Sequence, residues 1–203
     1  MPECNQGNSA KRFHNVCVVP WRGQAVYHFR RGCCALILNA VIHGNYRYAR
    51  SWSEMEPLIA EVTGNLRSER SDLPWLAPGE IALFMFAEGC HSESVRDWWP
   101  DNTLQVAVNS ETGYGGLVWF ATQERVTKNE ISEYIWVSNN PSPPEFDPRV
   151  VSDPGVPYFF EPRSALPVDQ IRAALEEFCR LGTGDRPECI EWVHGEMNGQ
   201  RHD

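Results

Sequence analysis

Residues 165–193 read ALPVDQIRAALEEFCRLGTGDRPECIEWV, and the reading of this stretch decides the fold class. Val168, Ile171, Leu175 and Phe178, with Ala174 and Cys179 beside them, recur at the three- and four-residue spacing of one helix face, while Arg172, Glu176, Glu177 and Arg180 fall elsewhere. Pro167 stands near the first helical position, where a missing N–H is tolerated, and Gly182 accepts the left-handed conformation that ends a helix. The spacing predicts a helix over 168–181. After the turn Gly182-Thr183-Gly184-Asp185, Pro187 to Val193 has the period of a strand, with Cys189, Glu191 and Val193 on one face and Ile190 and Trp192 on the other. Ile171, Leu175, Phe178, Cys189 and Trp192 are the core residues expected of this helix-strand unit.

Upstream, Asn139 to Pro157 holds Pro141, Pro143, Pro144, Pro148, Pro154 and Pro157. So many absent backbone donors exclude a helix or an interior strand, and the segment reads as a loop that leads into a short strand at Tyr158 to Glu161. Before it, Ile131 to Ser138 reads as a strand. Leu104 to Asn109 alternates and is linked through Glu111-Thr112-Gly113-Tyr114-Gly115-Gly116 to Leu117 to Thr122, a glycine-bearing hairpin. Glu80 to Ala87 is nearly continuously apolar, as a central strand covered on both faces would be. Ser53-Glu54-Met55-Glu56 matches a capping box, and Met55, Leu58, Ile59, Val62 and Leu66 follow at helical spacing, with Pro57 in or near the first turn. Cys33 to Tyr48 reads as a hairpin about His43-Gly44-Asn45. The elements together predict an α+β fold: a mainly antiparallel meander sheet with two principal helices packed on it.

The chain has 203 residues, of which 42% are hydrophobic and 22% charged, enough apolar material for one core. Residues 1–31 carry Lys11, Arg12, Arg22, Arg30 and Arg31 against Glu3, so this segment is +4 and the rest must supply −13 of the formal −9. Lacking a clean period, residues 1–31 are expected to be a poorly ordered basic extension, and a leader translated from an earlier start has the same look. Residues 32–203 are expected to form the single domain. An acidic body disfavours DNA, RNA and anionic membranes as partners and favours a basic one. The apolar run Cys33 to Leu38, resumed at Ala40 to Ile42, is too short to span a bilayer, and polar Met1 to Ala10 does not resemble a secretory signal. A cytoplasmic protein is expected. Seven irregularly spaced cysteines without a C-x-x-C pair argue against both a disulfide framework and structural zinc.

Catalytic patterns are incomplete. His194-Gly195-Glu196 matches the H-x-E half of a zinc deaminase signature, but only seven residues follow and no P-C-x-x-C is among them. Gly113-Tyr114-Gly115-Gly116 has no following Lys-Ser or Lys-Thr, so a hairpin turn is the better reading than a phosphate cradle. Cys90-His91 is a thiol beside an imidazole with no orienting group identified, and no G-x-S-x-G occurs. No catalytic residue, cofactor site or metal site is therefore expected. The more informative surface is Glu88, Glu93, Asp97 and Asp101 around Trp98-Trp99: carboxylates of one sign speed encounter with a basic partner, and tryptophan is enriched at binding hot spots.

Leu166-Pro167 before the helix, Ala173 to Phe178 within it, and Arg186-Pro187-Glu188-Cys189-Ile190-Glu191-Trp192 after it resemble actinobacterial members of immunity-protein family one, which is found beside polymorphic toxins. The likeness extends back to about Cys33, with Gly113 to Trp119 in the place of the family's central glycine-bearing hairpin; the loop Asn139 to Pro157 is longer than the likeness implies. The resemblance implies a non-catalytic inhibitor that binds a cognate toxin's catalytic domain, often a nuclease or nucleic-acid deaminase, and Trp192 as a core anchor first and a contact second. Two other readings fit the composition: an acidic interaction or regulatory module with no toxin partner, and, less well, a small Cys/His enzyme. Oligomeric state is not legible.

Overall fold

A computed structural model describes residues 36–64, 66, 79–92, 100–122, 134–156 and 158–203. The basic extension at 1–31 lies outside the described residues. The chain opens with the hairpin β1 (Ile37–Ile42) and β2 (Asn45–Ala49), whose register pairs Ile42 with Asn45 and leaves a two-residue turn. Both turn residues, His43 at φ 51° and Gly44 at φ 69°, are left-handed, the conformation whose twist matches that of paired strands.

Helix α1 (Trp52–Gly64) starts two residues earlier than the sequence suggests. The capping residue is Ser51: the Glu54 carboxylate accepts the backbone N–H groups of Arg50 (2.6 Å) and Ser51 (3.1 Å), the reciprocal half of a capping box. These two bonds, that from Arg50 foremost, hold the Glu54 carboxyl below its usual range. Pro57 consequently sits in the second turn, on the exposed side, where the helix bond it removes leaves a carbonyl that solvent can satisfy.

The meander follows in β3 (Ile81–Ala87), β4 (Asn102–Asn109), β5 (Tyr114–Ala121) and β6 (Ile135–Asn139), each antiparallel to the next, apart from the long connections. β7 (Val151–Asp153) and β8 (Tyr158–Phe159) form a small separate hairpin inside the proline-rich stretch, which is therefore not all loop. A 3-10 turn (Pro162–Ser164) leads to β9 (Leu166–Pro167), helix α2 (Val168–Leu181) and β10 (Glu191–His194). The sheet order is β10-β6-β5-β4-β3-β1-β2, with β9 continuing the β6 edge of β5. This is the α+β meander with two helices that the sequence predicts.

Both helices bury their apolar stripes against one sheet face: Leu58, Ile59 and Val62 from α1 and Ile171, Leu175 and Phe178 from α2 meet Leu38, Phe84, Phe86, Leu104 and Leu117. The helices also join each other through Arg172, which donates to the Thr63 hydroxyl at 2.8 Å. On the opposite face Ala107, Val118 and Val137 are covered by Val150, Phe160 and Ala165 of the 139–167 segment. That cover explains why β4, which alternates in sequence, is buried along nearly its whole length. Gly115 and Gly116 are strand residues rather than turn residues. A Cβ on Gly115 would lie 2.8 Å from Ile171 of α2, and one on Gly116 would lie 2.5 Å from the Phe160 ring, so the pair thins β5 where layers press on it from both sides. The turn is Ser110 to Gly113, closed by left-handed Gly113 at φ 74°. No helix among the described residues is long and apolar enough to cross a membrane.

Candidate functional site

Glu88 and Asp101 sit at one end of the sheet, Glu88 directly after β3 and Asp101 directly before β4, and both are exposed. Glu93, Asp97, Trp98 and Trp99 lie outside the described residues. The base of this acidic loop is set by Asn102. The backbone ladder between β3 and β4 ends at Phe84–Leu104, and two residues further the buried Asn102 side chain takes its place, accepting Phe86 N–H at 2.9 Å and donating to Phe86 C=O at 2.8 Å. The same amide donates to Asp101 at 2.7 Å, and Asp101 C=O accepts Thr122 N–H at 3.1 Å. The strand ends are thus held by a side chain at the point where the loop departs, which fixes where Glu88 and Asp101 emerge.

Beside the loop base, the Cys90-His91 pair is used structurally. The Asn39 side chain, fully buried, accepts His91 N–H at 2.7 Å and donates to Gly89 C=O at 3.1 Å. The His91 carbonyl accepts the Tyr48 hydroxyl, its ring stands edge-on to Tyr46, and the Cys90 sulfur accepts Arg50 at 3.9 Å. These contacts tie the chain after β3 to the edge hairpin β1–β2.

The segment Arg186 to Trp192 closes on itself. Glu177 of α2 accepts Glu188 N–H and Cys189 N–H, both at 2.9 Å, and the Trp192 indole donates to Pro187 C=O at 2.7 Å. Partial burial works against the Glu177 carboxylate, but the Cys189 thiol and the two backbone donors outweigh it and hold its pKa below the usual 4.5. Ile171, Leu175 and Phe178 are fully buried and Trp192 is half-buried against the same core. Cys189 is not a core residue: it is exposed, because β10 begins at Glu191, and the residues before it form the turn that Glu177 clamps rather than a strand face. Its thiol is nevertheless pushed up to about 12, by shielding from water first and then by the hydrogen bond and charge of Glu177. The buried thiol of Cys179 is likewise pushed up to about 12, by burial and then the charge of Glu176. Neither is an activated nucleophile. Next to this turn Arg186 lies 3.8 Å over the Trp136 ring, whose centroid is 3.6 Å from that of His194. His194 therefore belongs to a packed stack, and no group of three or more metal-ligating side chains occurs among the described residues.

A concavity that no single sequence motif brings together opens on the sheet face opposite the helices. Ile81, Gln105, Ser152, Asp153, Glu196 and Met197, together with Asn198, line it. Its residues come from β3, β4, β7 and the turn after β10, segments far apart in the chain, so no local pattern could have exposed it. The turn is held in place by Arg201, whose nearly buried guanidinium donates to Asn139 Oδ1 at 3.0 Å, to the Arg163 carbonyl at 2.8 Å and to Asp203 at 2.6 Å.

A family model described as Immunity protein Imm1 matches residues 43–194, from the turn of the first hairpin to the end of β10. No curated protein and no solved structure matches the chain significantly. The matched span takes in both helices, the whole meander and the Glu177-clamped turn before Trp192, so the chain belongs to the immunity protein Imm1 family.

Proposed function

We propose that this immunity protein binds and neutralises one cognate toxin catalytic domain, a nuclease or a nucleic-acid deaminase, without performing catalysis itself. Membership of the Imm1 family carries the reading. The charge supports its finer part: a domain that acts on nucleic acid presents a basic cleft, and a body of −13 between residues 32 and 203 complements it. We assign the working unit to residues 32–203, the site of action to the cytoplasm, and the toxin-facing surface to the loop from Glu88 to Asp101 with Glu93, Asp97, Trp98 and Trp99. Asn102 supports this assignment, because its bonds to Phe86 hold together the strand ends from which Glu88 and Asp101 emerge.

The test is co-expression with the toxin gene encoded beside this one. Growth in the presence of the toxin is the expected outcome, and undiminished lethality would leave an acidic interaction module without a toxin partner as the better description. Neutralising Glu93, Asp97 and Asp101 together should slow association and flatten its dependence on salt; an unchanged on-rate removes the loop from the interface.

A further inference from the structure

We infer that the loop from Pro141 to Asp147 is a preordered aromatic probe, which sets Phe146, with the Glu145 carboxylate beside it, into a cation-rimmed apolar pocket of the toxin domain. The inference rests on the binding function proposed above and gives it a second contact. The loop contains no strand or helix, yet side chains pin both of its ends to the body. At the entry, Asn140 is 6% exposed: its backbone N–H donates to the Arg163 carbonyl at 2.7 Å, and its amide donates to the Ala165 carbonyl at 2.5 Å and accepts Ser142 N–H at 2.9 Å. At the exit, the Pro148 carbonyl accepts the Asn109 amide and the Thr112 hydroxyl, each at 3.0 Å, and the same amide donates to the Arg149 carbonyl at 3.2 Å. Pro141, Pro143, Pro144 and Pro148 fix φ along the way and restrict the residues before them. Little conformational freedom is left to lose when a partner takes hold.

The fold holds Phe146 outside against local strain. To pass from the loop to buried Val150, Arg149 takes a left-handed φ of 53°, a conformation disfavoured for a side chain with a Cβ and retained where the surroundings impose it. His43, the other such residue among those described, sits in a two-residue hairpin turn that demands it; Arg149 does not. The Phe146 ring is 52% exposed and stands edge-on to Tyr114, with centroids 5.7 Å apart and planes at 85°, a contact that orients the ring while half of it stays in water. Charge identifies the partner. Residues 134–148 carry Glu145 and Asp147 and no lysine or arginine. Asp147 shapes the turn, its Oδ1 accepting Arg149 N–H at 2.9 Å, and the Arg149 guanidinium lies 4.1 Å over the Phe159 ring. Glu145 is exposed, and no hydrogen bond or ion pair engages its carboxylate among the described residues. An apolar ring beside an unengaged carboxylate complements a slot with an apolar floor and a cationic rim, which a cleft that binds nucleic acid provides. A second copy of this chain, with the same −13 over residues 32–203, is repelled instead. Tyr114 pairs with Asn109, so Phe146 lies at the opposite end of β4 from Asp101, about 25 Å of strand away, and this contact is separate from the one at the acidic loop.

The experiment uses the full chain and the toxin domain that it neutralises, with association and dissociation rates measured for each variant. Phe146→Ala should raise Kd about 10- to 100-fold, chiefly through faster dissociation. Its unfolding midpoint should match the parent's, because the ring is half in water, and Gln170→Ala on α2 serves as an unaffected control. Glu145→Lys should slow association about tenfold at low ionic strength, with the deficit shrinking as salt rises. A Phe146→Ala chain that binds as tightly as the parent overturns the inference, and so does an unchanged on-rate for Glu145→Lys. A parent that sediments as a dimer and a Phe146→Ala variant that sediments as a monomer would make a second copy the occupant, and would overturn it too. These failures leave neutralisation by the parent intact. A parent that binds and neutralises no toxin refutes the proposed function itself and takes this inference with it.

Discussion

Replacing Asn102 by alanine tests the base of the acidic loop. The substitution removes the groups that meet Phe86 N–H and C=O, which here continue the β3–β4 pairing past the end of its backbone ladder. Phe86 is 2% exposed, so neither group can turn to water without opening the strand ends. Each orphaned backbone group costs about 1–3 kcal/mol, so the pair should cost about 2–6 kcal/mol. That is a large share of a domain stability of about 5–15 kcal/mol. Asn102→Asp is the sharper variant. It keeps the acceptor for Phe86 N–H, sets a carboxylate against Phe86 C=O and brings it beside Asp101, so it should destabilise at pH 7 and recover as pH falls and the new carboxyl takes up a proton. Urea unfolding at 25 °C reads the total, and hydrogen exchange at Phe86 N–H reads the location, with Gln170→Ala on the exposed face of α2 as a surface control expected within about 0.5 kcal/mol of the parent. A loss below about 1 kcal/mol for Asn102→Ala, or exchange at Phe86 no faster than in the parent, would refute the claim that this amide holds the strand ends.

Glu177→Gln should cost about 1–3 kcal/mol at pH 7, because the two backbone bonds it accepts lose their charge. The folded-state pKa of Glu177 lies below 4.5, so the advantage over Gln is present above that value and is lost as pH falls through the folded pKa; stability curves that stay parallel from pH 7 to acid would contradict this. Alkylation of the native protein at pH 8, read by peptide mass spectrometry, should leave Cys179 and Cys189 about a thousandfold less reactive than in urea. Cys189 is exposed, so rapid labelling there would show that its surface position, not the Glu177 carboxylate, governs it. Gly116→Ala should cost about 1–3 kcal/mol by driving a methyl group into the Phe160 ring, and should be nearly neutral in a Phe160→Ala background; equal effects in both backgrounds would place the strain elsewhere.

Most of the fold was legible because its signals are local. The 168–181 helix, with its proline entry and left-handed Gly182 exit, was read to the residue, since capping and periodicity act within a few positions. The first hairpin and the order of the meander were legible for the same reason. The misreadings arose where two local patterns competed or where a distant segment decided. Ser51 and Ser53 both stand near a glutamate at capping distance, and the structure uses Ser51 with Glu54. Cys189 alternates correctly for a strand, but the Glu177 carboxylate, twelve residues away, captures its N–H and turns the chain.

The sequence by itself determined the α+β class, the helix-strand unit that carries the family likeness and the acidic balance of the body, because propensity, period and charge are properties of neighbours or of sums. Tertiary structure alone decided what each polar residue does. Asn102 replaces a missing stretch of sheet, Asn39 ties down the chain at His91, and Glu177 clamps the turn before Trp192. Asp153, and Glu196 from the incomplete H-x-E pattern, come to line one cavity. Hydrogen bonds and charges act over a few ångströms of space whatever the separation in chain, so their partners become visible only when the sheet has brought them together.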